Sequence, residues 1–298
     1  LSSAASDVYK RQYIYKMDLR TMHVDTLIKG EKFVSRAVFS PDATQLLVDA
    51  SGEAFDGIGL KIKEGQTSNT SDGQLFLYNI TDKSIKPLTK DFDPSVDSYE
   101  WNALDKQIYI MAKDKDRVRM YSLNPSNGKI KQLQAKEDVI SDYSIANQAF
   151  EMVYFGLSAS NSQRLYTYNL KNDASSCLID LSKEILRDVT LGEVQDWNFV
   201  SAQGDTIYGR FYLPPHFDAT KKYPMIVNYY GGTTPTARVM ESRYPSHVYA
   251  GLGYIVYIIQ PSGATGFGQE FSARHVNAWG KLTADAVSYT HLTLPTIR

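Results

Sequence analysis

Between residues 13 and 188 the chain repeats itself. Strand-prone segments recur as YIYKMDL (13–19), LFLYNI (75–80), VRMYSL (118–123) and LYTYNL (165–170), each running into a polar turn. Three are followed by a second short apolar segment, ending HVDTL, SIKPL and KIKQL. Another series precedes them in phase: RAVFSPDATQLLVDA, SYEWNALDKQIYIMA and YSIANQAFEMVYFGL. The spacing is roughly 40–50 residues, enough for four short strands with their turns, which is the period of a propeller blade. One step is longer because residues 51–73 insert a loop rich in Gly, Ser and Asn. Alternation with period two and a wealth of Tyr, Val and Ile argue against a helical repeat. Ser40-Pro41-Asp42 supplies turn chemistry between two strands of one blade. Three to four blades fit here, too few to close a ring.

The repeat stops at residues 181–196, where SKEILRD reads as a short linking helix. WNFVSAQGDTIYGRFYLPP then reads as a hairpin: 197–201, a Gln203-Gly204-Asp205 turn, and 206–213 in alternation. Two apolar runs follow, 225–230 (MIVNYY) and 254–259 (YIVYII), each ending in a Gly-containing turn. Without polar alternation they read as strands of a parallel sheet, covered on both faces. Ligands gather at the carboxyl ends of such strands, where glycine lets backbone approach a substrate. Tyr230, Gly231 and Gly232 occupy that position.

Y-G-G after a buried strand, followed by P-S-G-A-T-G-F-G-Q-E-F, resembles the prolyl oligopeptidase family of serine peptidases. The resemblance implies incomplete all-β propeller blades followed by the N-terminal part of an α/β-hydrolase domain. It covers about 197–287 by motif and the propeller region by architecture. The blades are expected over 13–190 and the peptidase part over 191–287. In the family the tyrosine before the glycine pair donates to the oxyanion of acyl transfer, a role that falls on Tyr230. Gly231 and Gly232 form the turn beside it and are candidate substrate-binding residues. Tyr229 should point to the opposite side of the strand, into packing. The loop 261–268 shapes the rim of the site, although Ser262-Gly263 stands where family members often carry Arg-Gly. Its glycines are spaced G-x-x-G-x-G with no following P-loop lysine, which argues against phosphate binding.

A hydrolase of this fold also needs Ser in G-x-S-x-G, then Asp, then His, and no G-x-S-x-G occurs. The triad is therefore expected beyond residue 287, and the chain alone is expected to be inactive. Of the histidines at 23, 216, 247, 275 and 291, none follows a nucleophile in the required order, and His275 reads as a helix-surface residue. Asp91/Asp93 and Asp114/Asp116 read as solvated turn carboxylates rather than metal ligands. No cofactor is expected. A net charge of −1 gives no reason to expect a nucleic-acid partner, and the longest apolar run is too short to span a bilayer. The expected partner is a peptide substrate. Two rivals are an esterase with the same hydrolase core, and a propeller binding module with a non-catalytic remnant. Both ends, LSSAASDVYKRQ (1–12) and SYTHLTLPTIR (288–298), resemble translated cloning sequence and are expected to lie outside the native fold. Compartment and oligomeric state are not legible.

Overall fold

The structure is a computed structural model that describes residues 11–201, 204, 206–260, 262–278, 284–285 and 287–288. Three four-stranded antiparallel meanders follow one another along the chain. The first comprises β3 (Val34–Phe39), β4 (Gln45–Ser51), β5 (Gly73–Asn79) and β6 (Ile85–Pro87). The second comprises β7 (Ser95–Trp101), β8 (Ile108–Asp114), β9 (Arg117–Leu123) and β10 (Ile130–Gln132), and the third β11 (Val139–Ile145), β12 (Glu151–Ser158), β13 (Asn161–Asn169) and β14 (Ala174–Asp180). The second and third join through a single parallel rung, Val139 to Val118. Ahead of them β1 (Arg11–Met17) and β2 (Val24–Lys32) form an antiparallel pair. The repeat phase makes that pair the third and fourth strands of a preceding blade. Among the described residues no sheet closes on itself.

Period two explains how the blades stack. On β8, Ile108, Ile110 and Ala112 pack with Leu47, Leu75 and Tyr99 towards the first blade. Tyr109 and Met111 on the other face pack with Ile140, Met152, Tyr154 and Tyr168 of the third. A middle blade is thus apolar on both faces, and each fully buried side chain contributes roughly 1.5–3 kcal/mol. At the two ends of the arc the stacking partner is absent among the described residues. Tyr13, Tyr15 and Met17 are exposed at one end, as are Leu178, Ile179 and Leu181 at the other. Such faces and edges favour association. The isolated chain is expected to bind hydrophobic dyes and to self-associate in light scattering. A dye-silent monomer with one cooperative transition would contradict this.

After a helical turn at Ser182–Ile185 comes a second, mixed sheet. Its order is β15 (Val194–Asp196), β18 (Gly209–Tyr212), β20 (Ile255–Ile259), β19 (Met225–Tyr229), with β18 antiparallel and β19 parallel to β20. The expected hairpin is split into two ladders, β15–β18 and a short pair of β16 (Phe199–Val200) with β17 (Thr206–Ile207). Gln203 and Asp205 of its turn lie outside the described residues; Gly204 has φ +84° and its amide donates to Ser201 O at 2.9 Å. The alternation expected over 206–213 fails at β18, where all four residues are buried, because the strand is covered on both faces. One face packs Phe211 and Tyr257 with Trp197. The other packs Tyr212, Val256 and Ile258 with Ala250 of the helix Ser246–Gly251 and Ala159 of the third blade.

Coverage on both faces holds for β20, buried throughout, and not for β19, whose end residues Met225 and Tyr229 are exposed. β19 pairs with β20 alone among the described residues, so its other edge has no strand partner there. Tyr229 correspondingly is 47% exposed rather than packed. Arg11 and Gln12 belong to β1, in register with Lys32 and Glu31, since backbone pairing is indifferent to side-chain pattern. Ser288 Oγ donates to Asp285 O at 3.1 Å, within a helical turn. Residues 1–10 and 289–298 lie outside the described residues, as do Trp279 and Gly280.

The Tyr257 hydroxyl is buried and finds no hydrogen-bond partner among the described residues. An unsatisfied buried hydroxyl costs about 1–3 kcal/mol. Tyr257→Phe is therefore expected to raise stability by about 1 kcal/mol in urea denaturation, with a loss of stability as the contrary result.

Candidate active site

The parallel pair β19–β20 directs its carboxyl ends to one place. Tyr230 follows the last residue of β19, and its ring lies over Gly232, where a Cβ would stand 2.7 Å from Tyr230 Cζ and 2.9 Å from Oη. Gly232 is thus required for the ring to fold back over the turn. Tyr230 is 55% exposed, and among the described residues its hydroxyl makes no hydrogen bond. An accessible phenolic donor at a strand end, held by a tight Gly turn, is available to an incoming oxygen.

The loop after β20 makes its close approaches to the propeller rather than to a phosphate. Gly266, at φ +82°, accepts from the Lys115 amide at 2.9 Å, and a Cβ there would stand 2.6 Å from Lys113 O. Gly268, at φ +91°, donates to Asp93 O at 3.0 Å. Gly263 packs on His275, which lies in the turn beyond the helix Gln269–Ala273 and is half-buried, not on a helix surface. That helix docks on the long loop between β4 and β5. Ser272 Oγ donates to Asp72 Oδ2 at 2.7 Å, and Gln269 Nε2 donates to Gly59 O at 3.0 Å. Burial raises the Asp72 carboxyl above its ordinary value, against the hydrogen bonds from Ser272 and Ser95.

These contacts share a geometric origin. In an antiparallel meander the turn between strands two and three, and the passage to the next blade, emerge at the same end. Asp72, Asp93, Lys115, Asp116 and Ala159 all belong to such connections, and all touch the second sheet or its loops. A cavity of about 570 Å³ lies in this junction, lined by Asp93, Asp114, Lys115, Tyr208, Phe267 and Arg274 among others. Phe267 and Gly266 of the Gly-rich loop form part of its wall, while Tyr230 does not.

The largest departure from the sequence reading is Asp116, which is 7% exposed rather than solvated. Its Oδ2 lies 3.1 Å from Arg210 Nη1 and 2.8 Å from Arg238 Nε, and its Oδ1 lies 3.1 Å from Arg117 Nη1. Arg117 also reaches Asp138 at 3.2 Å, and Arg238 pairs with Asp196. Three guanidinium groups thus face three carboxylates, so the burial of charge is balanced. Arg210, 1% exposed, donates further to Thr236 O at 3.0 Å and Ala237 O at 2.6 Å. Asp114 is likewise engaged, by Arg119 at 3.0 Å and the Tyr121 hydroxyl at 3.1 Å. Asp91 remains exposed. No cluster of three or more potential metal ligands occurs among the described residues.

His247 makes another link across the junction. Its Nε2 lies 2.9 Å from Ala159 O, and its Nδ1 is buried without a partner among the described residues. Burial lowers its pKa, against the hydrogen bond to Ala159, because a second ring proton would go unmet. A lowered pKa means stability is complete above the unfolded value of about 6.5 and is lost as pH falls below it. His247→Gln keeps an N–H donor and should remove that part of the acid dependence. Melting curves between pH 5 and 8 check this, and parallel profiles for the two proteins would contradict it.

No protein-family profile matches the chain. It is 26% identical over 280 residues to the dipeptidyl-peptidase 5 of Porphyromonas gingivalis, an alignment covering 93% of this chain and 38% of that protein. A probable dipeptidyl-peptidase 5 of Aspergillus terreus is 28% identical over 263 residues, covering 82% of this chain and 32% of that one. Among solved structures, an acylaminoacyl peptidase of Pyrococcus horikoshii superposes with TM-score 0.73 at 18% identity, across 96% of this chain and 42% of the other. The dipeptidyl peptidase 4 of P. gingivalis superposes equally well, TM-score 0.73 at 13% identity, over 97% of this chain and 40% of its own. The chain is thus similar in sequence to dipeptidyl-peptidases 5 and shares its fold with part of an acylaminoacyl peptidase and a dipeptidyl peptidase 4. It spans about a third of the length of these curated relatives. The blades correspond to the propeller region of such peptidases. No helix among the described residues is long and apolar enough to cross a membrane.

Proposed function

We propose that the chain carries the junction between propeller and catalytic domain of a prolyl oligopeptidase-type serine peptidase. In this reading the blades occupy 13–190, and the mixed sheet with its loops, 191–287, begins an α/β-hydrolase domain. Tyr230 is the oxyanion-hole donor, with Gly231 and Gly232 forming the turn beside the substrate carbonyl. The observation that carries the reading is the exposed Tyr230 hydroxyl at the carboxyl end of β19, beside β20 and on its Gly turn.

Acyl transfer from a peptide converts a planar carbonyl into a tetrahedral oxyanion. A donor aimed where that charge develops lowers the barrier without strengthening ground-state binding. The serine nucleophile, acid and base of the reading come from elsewhere in the peptidase, since the 298 residues contain no G-x-S-x-G. The substrates are short peptides, because the propeller face sits against the catalytic sheet and limits access. Blades distinguish this reading from an esterase of the same core.

The test is steady-state hydrolysis by the natural protein that contains this chain, using dipeptidyl and acylated aminoacyl chromogenic amides and a simple ester. The expected result is amide hydrolysis abolished by a serine-directed phosphonate. Hydrolysis of the ester alone would favour the esterase, and none at all the binding module.

A further inference from the structure

The two-residue turn between β8 and β9 is built almost entirely around the second sheet. Lys115 has φ +59°, a left-handed conformation costly for a residue with a Cβ. Its amide donates to Gly266 O at 2.9 Å, and its ammonium lies 4.7 Å from the centre of the Tyr208 ring. Asp116 gathers Arg210 and Arg238 on its carboxylate, and its carbonyl accepts from the Arg238 amide at 3.1 Å.

The bonds of Asp116 lead to one stretch, residues 233–238, which immediately follows the Tyr230-Gly231-Gly232 turn. Thr233 O accepts from the Thr265 amide at 2.8 Å. Gln260 grips Thr236 from both sides, accepting from its amide at 2.7 Å and donating to its carbonyl at 2.9 Å. Arg210 holds the carbonyls of Thr236 and Ala237, and is itself oriented by Asp116 and by the Tyr212 hydroxyl at 3.2 Å. The turn therefore hangs between two fixed points, the end of β19 and the anchored stretch. The second point belongs partly to the propeller.

We propose that Asp116, a propeller residue, is a positioning residue for the Tyr230 turn: through Arg210 and Arg238 it fixes residues 236–238 and so sets where the Tyr230 hydroxyl stands. The inference rests on Tyr230 being the oxyanion donor. It adds that the catalytic geometry is completed only when the propeller turn is seated. The anchoring network buries fork-shaped donors against carbonyls and a carboxylate, an arrangement an uncharged amide at 116 reproduces in shape and not in strength.

The experiment has two arms. In the 298-residue chain, amide hydrogen exchange compares the unaltered protein with Asp116→Asn and with Arg210→Lys. The Thr236 and Arg238 amides are expected to exchange about tenfold faster or more in both variants. The Gly268 amide, bonded to Asp93 across the same junction, should stay unchanged. Equal acceleration at Gly268, or none at 236 and 238, would overturn the anchoring. In the longer peptidase, Asp116→Asn should lower kcat about tenfold while KM stays within about twofold, and should add nothing further in a Tyr230→Phe background. Full additivity of the two substitutions would overturn the positioning role. Failure of the Tyr230 reading is recognised separately, by Tyr230→Phe alone leaving kcat unchanged.

Discussion

Arg210→Leu is expected to lower folding stability by about 3–5 kcal/mol, the cost of breaking a buried charge network by removing one partner. Leucine fills part of the volume and cannot donate, so Asp116 loses one of its cations in a site 7% exposed. The carbonyls of Thr236 and Ala237 lose donors at 3.0 and 2.6 Å, and the Tyr212 hydroxyl loses its guanidinium partner. A second substitution, Asp116→Leu, should return part of the loss, because it removes the orphaned carboxylate. The double variant would still take one carboxylate contact from each of Arg117 and Arg238, and leave the carbonyls of Thr236 and Ala237 without their donor, so recovery should be incomplete. Urea denaturation of the three proteins checks this. A single Arg210→Leu effect below about 1 kcal/mol, the scale of an exposed ion pair, would show that the network is solvated.

Tyr230→Phe in the longer peptidase is expected to lower kcat by roughly 10²–10³, or about 2.7–4 kcal/mol of transition-state stabilisation. KM should change little, because the planar carbonyl makes little use of the bond. Stability should hardly move. The ring is 55% exposed and its hydroxyl has no partner among the described residues, so the substitution removes no folded-state hydrogen bond there. That separation distinguishes Tyr230 from a packing residue. Steady-state kinetics with thermal melts decide the matter, and an unchanged kcat with a lowered Tm would contradict the assignment.

The blades were legible in the sequence because their physics is local. The segments at 75–80, 118–123 and 165–170 fall in β5, β9 and β13, each the third strand of its blade. Period-two alternation and turn residues needed no long-range information to reveal them. The strand character of β19 and β20 was equally visible, since apolar β-branched runs with no polar face point to a sheet interior, while their pairing with one another comes from the fold. Burial of β19 was misread because its sequence states a propensity to be covered and not the presence of a cover. Asp116 was misread for the opposite reason. Beside Asp114 and Lys115 it looks like any turn carboxylate, and its partner Arg210 lies 94 residues away. One signal was available. Arg210 stands between Gly209 and Phe211 within an otherwise apolar strand, and arginine is rarely buried unpaired. A search for its carboxylate would have turned to the turns of the blades. The glycines of 263–268 carried a similar ambiguity. Their spacing ruled out a P-loop, yet only the fold shows that Gly266 and Gly268 allow backbone contact with Lys113 and Asp93.

The most direct test is a crystal structure of the proposed serine peptidase with a dipeptide boronate bound to its nucleophile. The boronate oxygen takes the place of the oxyanion. The account predicts the Tyr230 hydroxyl donating to that oxygen at about 2.5–3.0 Å, with the Asp116–Arg210 contact intact behind it. A boronate oxygen held by other donors, with the Tyr230 hydroxyl turned to solvent beyond hydrogen-bond reach, would contradict it.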